Sequence, residues 1–199
     1  MKTIKKAAIS RLICIVACTM VLTFSACTSD APFAPQADGE LHFIPLGPES
    51  HGLAKVVQST QFVTQQSGGT LSLQFKPPRR DSAEVQVIVT LVVLPHTISE
   101  DAELSLSLDD QTLIGGVDVT FQPHGITFSR PAILNIQAKG LDLSGTNPEK
   151  IDIYYDNPDS GQWEKMARKQ VIVKPENGFI NVVAAEIPHF SRYAVGWSR

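Results

Sequence analysis

Two short acidic segments carry the side chains best suited to bind a cation. Asp109 and Asp110 are adjacent, and Asp156 and Asp159 flank Asn157. Calcium requires several oxygen ligands at set spacings along a loop, and neither segment follows that spacing. We therefore expect both segments to form solvated turns, and no metal site is predicted.

The other residue types used in catalysis lack a recognisable arrangement. The scattered histidines have no paired zinc-ligand spacing: His42, His51, His96 and His124. No Gly-x-Ser-x-Gly elbow marks a serine hydrolase, and Gly115-Gly116 lacks the following Gly and Lys of a phosphate loop. The sequence predicts no cofactor, and it favours a protein that is not an enzyme.

The N-terminus has the three-part pattern of an export signal, over residues 1–26. Basic residues precede the apolar run 12–24, and the small pair Ser25-Ala26 follows that run. The run is shorter than the roughly 20 apolar residues of a membrane span. Phe24-Ser25-Ala26-Cys27 resembles the lipobox of bacterial lipoproteins, with Phe24 in place of the usual Leu or Val.

The lipobox resemblance implies signal cleavage between Ala26 and Cys27, with Cys27 as the lipid attachment site. The thiol takes a diacylglycerol and the new amine takes an acyl chain such as palmitate, and each buried CH₂ adds about 0.8 kcal/mol of membrane affinity. Residue 28 is Thr and not Asp, which in a Gram-negative host implies the outer membrane. The alternatives are an ordinary secretory signal and an uncleaved anchor.

The chain after residue 26 is acidic and retains one cysteine, Cys27. Its thirteen basic and twenty acidic residues give a net charge of −7. Without a basic cluster this balance excludes nucleic acid as an expected partner. Because lipid consumes the Cys27 thiol, no disulfide or cysteine-based site is expected.

Residues 27–67 are expected to form a lipidated, Pro-rich tether, because proline removes a backbone donor and favours extended chain. Within this range, residues 53–63 could add a strand. From residue 68 to 199 apolar and polar residues alternate in short runs, as in Leu71–Lys76 and Ile151–Asp156. A two-residue period predicts strands with one buried and one wet face.

These runs predict an all-β fold, an antiparallel β-sandwich in a single domain at 68–199. No window shows a helical period. Residues 85–94 are apolar almost throughout, which indicates a central strand covered on both faces. Of the aromatics, Tyr155 is expected in the core, Tyr154 on the surface and Trp163 against the neighbouring hairpin.

Five segments, in order, resemble the ZU-five domain of zonula occludens proteins, uncoordinated-five netrin receptors and ankyrins. They are Gly68–Leu71, Val89–Pro95, Phe121–Ala132, Trp163–Lys165 and His189–Tyr193. The third is similar to the family's central P-x-G-x-x-F-x-x-P signature. The resemblance spans about 68–197 and implies a β-sandwich used for protein contacts or scaffolding, and many bacterial surface proteins share it.

The same resemblance makes His189-Phe190-Ser191 a candidate for self-cleavage, since some animal relatives cut themselves between the Phe and the Ser of this triplet. Ser191 would attack the Phe190 carbonyl with His189 as base, and an oxyanion donor would also be needed. The sequence identifies no such donor. The alternative is structural, with Phe190 and Tyr193 closing the end of the sandwich.

The sequence thus predicts a membrane-tethered cell-envelope lipoprotein whose sandwich acts as a non-enzymatic interaction or structural module. It contacts the membrane through lipid on Cys27 and has a protein partner in the envelope. Two alternatives remain open, a glycan or small-ligand binding lipoprotein and a self-cleaving domain. The sequence leaves the oligomeric state open.

Overall fold

The alternating pattern produces a chain made almost entirely of strands. A computed structural model describes residues 40–46, 57–76, 85–108 and 116–198, which lie within the compact unit Pro32–Arg199. In these ranges the helical elements are two three-residue 3-10 turns, Pro148–Lys150 and Pro175–Asn177. No helix in the described ranges has the length and apolarity to cross a bilayer.

The described strands are, in chain order, β1 (Leu41–Phe43), β2 (Val57–Val63), β3 (Gly69–Phe75), β4 (Gln86–Val93), β5 (Ala102–Leu108), β6 (Asp118–Gln122), β7 (Thr127–Lys139), β8 (Ile151–Asn157), β9 (Gln162–Lys165), β10 (Arg168–Lys174), β11 (Phe179–His189) and β12 (Arg192–Ser198). They form two antiparallel sheets. One sheet has the order β2-β5-β6-β12-β8-β9, with β1 added against β12. The other has the order β10-β11-β7-β4-β3.

The core lies between the two sheets and is filled by every second residue of the strands. On β3, for example, Leu71, Leu73 and Phe75 are buried and Ser72 is exposed. Burial of one face per strand is what the two-residue period specifies. The predicted all-β, antiparallel sandwich in one domain is confirmed.

The central strand β4 differs in part from the expectation. Val87 and Leu91 are buried against the other sheet, whereas Ile88 and Val92 on the opposite face are only partly covered. The face that carries Ile88 looks away from the core, where side chains of the adjacent strands β3 and β7 give partial cover. The apolar run therefore reflects one buried and one half-buried face.

Two strands, β1 and β2, lie within the range 27–67, which was expected to form the tether. The three-residue strand β1 pairs with β12, and the adjoining Ile44 and Leu46 are fully buried. Such a short strand leaves no periodic pattern in a sequence rich in proline. The strand β2 lies within residues 53–63, where the sequence allowed for a strand, and it pairs with β5 along its whole length.

A tight turn at residues 65–67 joins β2 to β3 across the edge of the sandwich. Thr64 and Gly68 form an isolated bridge on either side of it. Gly68 has φ +68°, and a Cβ there would lie 2.1 Å from the carbonyl oxygen of Val93. Glycine is required at this position because a side chain would collide with backbone. The turn therefore carries the chain from β2, the first in the order of described strands of its sheet, to β3 at the edge of the other sheet.

Candidate functional site

The predicted lipid site lies outside the described residues, as do several other candidates. Ala26, Cys27, His51 and the pair Asp109-Asp110 fall in this part of the chain. Attachment of lipid at Cys27 stays a prediction.

The triplet His189-Phe190-Ser191 joins β11 to β12 at one end of the sandwich. Phe190 is 1 % exposed. Its ring stacks on Phe121 with centroids 5.2 Å apart and meets Phe128 edge-on at 5.1 Å. Offset and edge-on aromatic pairs of this kind add to the stability that burial supplies. Phe190 thus closes the end of the core.

Main-chain hydrogen bonds hold the peptide link that self-cleavage would break. The Phe190 amide donates to the Ile126 carbonyl at 2.8 Å, and the Ser191 carbonyl accepts from the Phe121 amide at 2.9 Å. The Phe190 carbonyl accepts from the Gly125 amide at 3.4 Å. Gly125 is therefore the backbone donor closest to the place of an oxyanion-hole group. It is the glycine of the P-x-G-x-x-F-x-x-P pattern, which gave no sign of a donor role.

The first residue of the triplet, His189, contacts two tyrosines of the core. His189 meets Tyr155 edge-on at 4.5 Å, and the Tyr193 hydroxyl donates to the His189 carbonyl at 2.6 Å. Burial lowers the pKa of His189, opposed by a hydrogen bond to the Phe190 backbone and by Glu164 and Asp159.

Burial, and then nearby carboxylates, raise the pKa of Tyr155, and a hydrogen bond with the Ser191 side chain opposes that rise. Burial raises the pKa of Tyr193 as well. The three predicted residues therefore lie together, with the neutral imidazole of His189 favoured.

The outer face of the larger sheet holds two buried carboxylates that the alternating pattern placed on a wet face. Asp118 and Asp152 are each 1 % exposed. The Arg168 guanidinium donates to both oxygens of Asp152, at 2.9 and 2.7 Å, and the Lys165 ammonium lies 2.6 Å from Oδ2. Arg192 donates to Asp118 from Nε at 2.8 Å. Paired cations and hydrogen bonds make burial of these charges tolerable.

The loop carrying Asp156 and Asp159 is accounted for without a cation. Asp156 lies 3.6 Å from Nη1 of Arg192, and the Asn157 side chain accepts from the Asp159 amide at 2.9 Å in a turn. No group of three or more metal-ligating side chains occurs in the described ranges. The structure thus assigns these residues to an ion pair and a turn.

Tyr155 lies in the core, as expected, whereas Tyr154 and Trp163 lie on the outer face of the larger sheet. Tyr154 is 2 % exposed, so its expected place on the surface is wrong. Trp163 contacts Phe43 of β1 edge-on at 4.8 Å and lies under the Arg192 guanidinium at 5.6 Å. Small residues on β12 make room for this cover: a Cβ on Gly196 would lie 2.7 Å from the His42 carbonyl oxygen.

A shallow groove of about 500 Å³ lies between the loop 140–144 and the 3-10 turn Pro175–Asn177. Its walls include Leu141, Asp142 and Glu176. None of the groove's lining residues is aromatic. The groove therefore lacks the apolar, aromatic lining typical of small-molecule sites.

The edge strand β2 presents the most exposed large apolar side chain among the described residues, Phe62 at 62 %. In the described ranges β2 pairs with β5 alone, so its second edge offers backbone donors and acceptors. Its sequence, VQSTQFV, has no charge, proline or glycine. Natural sheets protect exposed edges with charged residues or proline, and β2 has neither.

The edge strands at the opposite side of each sheet, β9 and β10, carry charged side chains. β9 has four residues and includes Glu164 and Lys165. β10 carries Arg168, Lys169 and Lys174. Charged side chains discourage strand addition at both. The edge strands β2 and β3 have no charged residue, and of the two only β2 carries a large, exposed apolar side chain, Phe62, which makes it the candidate surface for a protein partner.

Comparison with protein-family profiles, curated proteins and solved structures finds no match for this chain.

Proposed function

We propose that this chain is a lipid-anchored protein of the bacterial cell envelope, placed in the outer membrane if the host is Gram-negative. Its β-sandwich serves as a non-enzymatic protein-interaction or structural module. The export signal and the lipobox pattern at Ala26-Cys27 support the anchor. The ordered segments that resemble the ZU-five domain support a role in protein contacts.

The edge of β2 that no other described strand covers is the observation that carries this proposal. A partner strand laid against it would bond with the backbone groups on that side, as in recognition by strand addition. Phe62 would lose contact with water in the same step, and burying an exposed Phe side chain stabilises a complex by about 1.5–3 kcal/mol before the costs of association.

The same observations weigh against the two alternatives. Tyr154 and Trp163 are covered by neighbouring side chains and do not form an open platform for a sugar. Main-chain hydrogen bonds hold both sides of the Phe190–Ser191 link, and Phe190 is buried in the core. We therefore assign His189-Phe190-Ser191 a structural role.

Site-specific photo-cross-linking in intact envelope tests the interaction role. A photoreactive residue at Phe62 should give discrete protein adducts. The same residue at Thr70, exposed on the edge strand β3, is the matched control and should give few. Absence of any protein adduct at Phe62 contradicts the proposal.

Fractionation of the Cys27→Ser chain tests the anchor. We expect this variant to lose lipid labelling and lipoprotein-type processing, and to accumulate as precursor or as soluble protein. A processed, membrane-bound Cys27→Ser chain contradicts lipid attachment at this residue.

A further inference from the structure

We propose that the partner at the β2 edge is an extended protein segment in which Lys or Arg alternates with apolar residues. This inference rests on the proposed interaction role and names the chemistry of the partner. The edge of β2 supplies backbone pairing, and the side chains around that edge select the composition of the incoming strand.

The chain that forms the strands β2 to β5 carries carboxylates without a balancing Lys or Arg. Residues 57–75 and 85–108 contain neither of these two cationic residues. The same residues contain three carboxylates, all exposed: Glu100, Asp101 and Glu103. The surface beside β2 is therefore negative. Complementary charge on a partner speeds its encounter with such a surface and selects against acidic competitors.

Two basic side chains from the surroundings lie at the same end of the sandwich. The Arg130 guanidinium donates to the Pro95 carbonyl and, from Nε at 3.4 Å, to the Thr97 hydroxyl. The loop that precedes β5 thus holds this cation in place. The His96 amide donates to the Gln65 carbonyl at 2.6 Å, which ties the same loop to the turn after β2. The three carboxylates outnumber the one guanidinium, so a negative balance remains.

The exposed apolar area lies beside these carboxylates. Phe62 is 62 % exposed and Leu94 is 37 % exposed. The two flank the turn 65–67, since a Cβ on Gly68 would lie 2.7 Å from the Leu94 carbonyl carbon. Asp101 is at the same turn, where its Oδ1 accepts from the Gln65 amide at 2.7 Å. A partner at this edge therefore meets apolar surface and negative charge together.

The outward face of the edge favours a basic residue opposite Phe62. Glu103 is the β5 partner of Phe62, so the two side chains lie on one face of the sheet. A partner residue that faces Phe62 would lie two strand spacings, about 10 Å, from Glu103. The stem of a Lys or Arg would cover the Phe62 ring and carry the charge toward the carboxylate. An acidic residue at that position would be repelled.

The opposite face of the edge favours apolar residues. Val63 is buried, whereas Ser59 and Gln61, in the same phase of β2, are half-buried and exposed. An apolar side chain beside Gln61 would extend the core over this open side. Because successive side chains of a strand point to opposite faces, the partner alternates basic residues outward with apolar residues inward.

Binding of defined peptides to the full chain in neutral detergent micelles tests this composition. The probe is a fluorescent peptide of alternating Val and Arg, and the matched control has Glu in place of Arg. We expect the Arg peptide to bind at least about tenfold more tightly than the Glu peptide in anisotropy titrations. The Arg peptide with alternate amides N-methylated cannot complete the strand pairing and should bind at least about tenfold more weakly.

Charge reversal at Glu103 tests the location. Glu103→Lys should weaken binding of the Arg peptide by about threefold to tenfold. The same variant should bind the Glu peptide more tightly than the parent chain does, which also shows that it is folded. Glu176→Lys makes the same change in net charge in the turn between β10 and β11, and it should alter neither affinity by more than about twofold.

The outcomes separate this inference from the proposed function. A preference for the Arg peptide that is lost in Glu103→Lys and kept in Glu176→Lys supports a basic partner. Equal affinity for the two peptides, or equal losses in the two variants, overturns it. Failure of the Arg peptide to bind at about 1 mM overturns it as well. If a photoreactive residue at Phe62 then still cross-links to a protein, the interaction role stands with a partner of different composition.

Discussion

Replacing Phe190 by alanine separates a structural role for His189-Phe190-Ser191 from a chemical one. Phe190 is buried and contacts the rings of Phe121 and Phe128. If it closes the end of the core, Phe190→Ala leaves a cavity that the neighbouring strands can only partly fill. The matched control is Ser191→Ala, which removes the only hydroxyl of the triplet and leaves the packing intact.

The expected loss follows from area and contacts. A buried Phe covers about 150–250 Å², and truncation to Ala removes about half of this, worth about 2–3 kcal/mol at 25 cal/mol per Å². Two aromatic pairs add about 0.5–1.5 kcal/mol each. We therefore expect Phe190→Ala to lower the free energy of unfolding by about 3–5 kcal/mol, the usual range for a buried Phe. Ser191→Ala should cost about 1 kcal/mol or less, because it removes at most one side-chain hydrogen bond.

Denaturant unfolding and intact-mass measurement decide the matter together. A loss of about 3–5 kcal/mol corresponds to a Tm lower by about 6–20 °C for a domain of this size. Both variants and the parent chain should keep their full mass after signal removal. The reasoning is refuted if Phe190→Ala costs under about 1 kcal/mol, or if the parent chain loses Ser191–Arg199 and the Ser191→Ala chain does not.

Three further predictions concern the interior and the outer face of the larger sheet. Asp152→Asn should lower the free energy of unfolding by about 2–3 kcal/mol, since Arg168 and Lys165 lose their common anion but keep some access to water. Asp159→Asn, at an exposed position, is the control. Equal losses of stability in the two variants would count against the buried ion pair. Burial lowers the pKa of His189 below 6.5, so the unfolded chain binds the proton first and stability should fall as the pH drops below that value. His189→Gln should flatten this part of the pH profile in urea unfolding, and an unchanged profile would contradict it. Gly196→Val should lower the free energy of unfolding by about 1–3 kcal/mol and loosen β1, because a Cβ at this position would lie 2.7 Å from the His42 carbonyl oxygen. Unchanged Trp fluorescence and unchanged stability would show that β1 does not pack against β12 at this point.

The fold class follows from the sequence because local alternation determines which face of a strand is buried. Leu71 and Phe75 point inward and Ser72 outward, as the pattern requires. The pattern cannot show whether a second layer covers the outer face. Asp152 is buried beside Lys165 of β9 and Arg168 of β10, which follow β8 beyond a turn. The contribution of β1 was not predicted, because three residues carry no period.

The candidate site was predictable only in part, for a similar reason. His189 and Phe190 are adjacent in the sequence, so their proximity needed no tertiary information. The Gly125 amide and the Tyr155 ring reach them from other strands. Pairing of Asp118 with Arg192 spans 74 residues, and two charges so far apart give no local signal. The open edge of β2 depends on strand order, which alternation alone does not determine.

Hydrogen exchange along β2 tests the central claim most directly. The full chain in envelope vesicles would be compared with the Thr60→Lys chain, one amide at a time over Val57–Val63. We predict that the amides facing away from β5 exchange at least about tenfold more slowly in the parent chain, because a partner strand bonds them. Amides of β2 that bond to β5 should exchange at the same rate in both chains. Equally fast exchange of the outward amides in both chains would contradict the account.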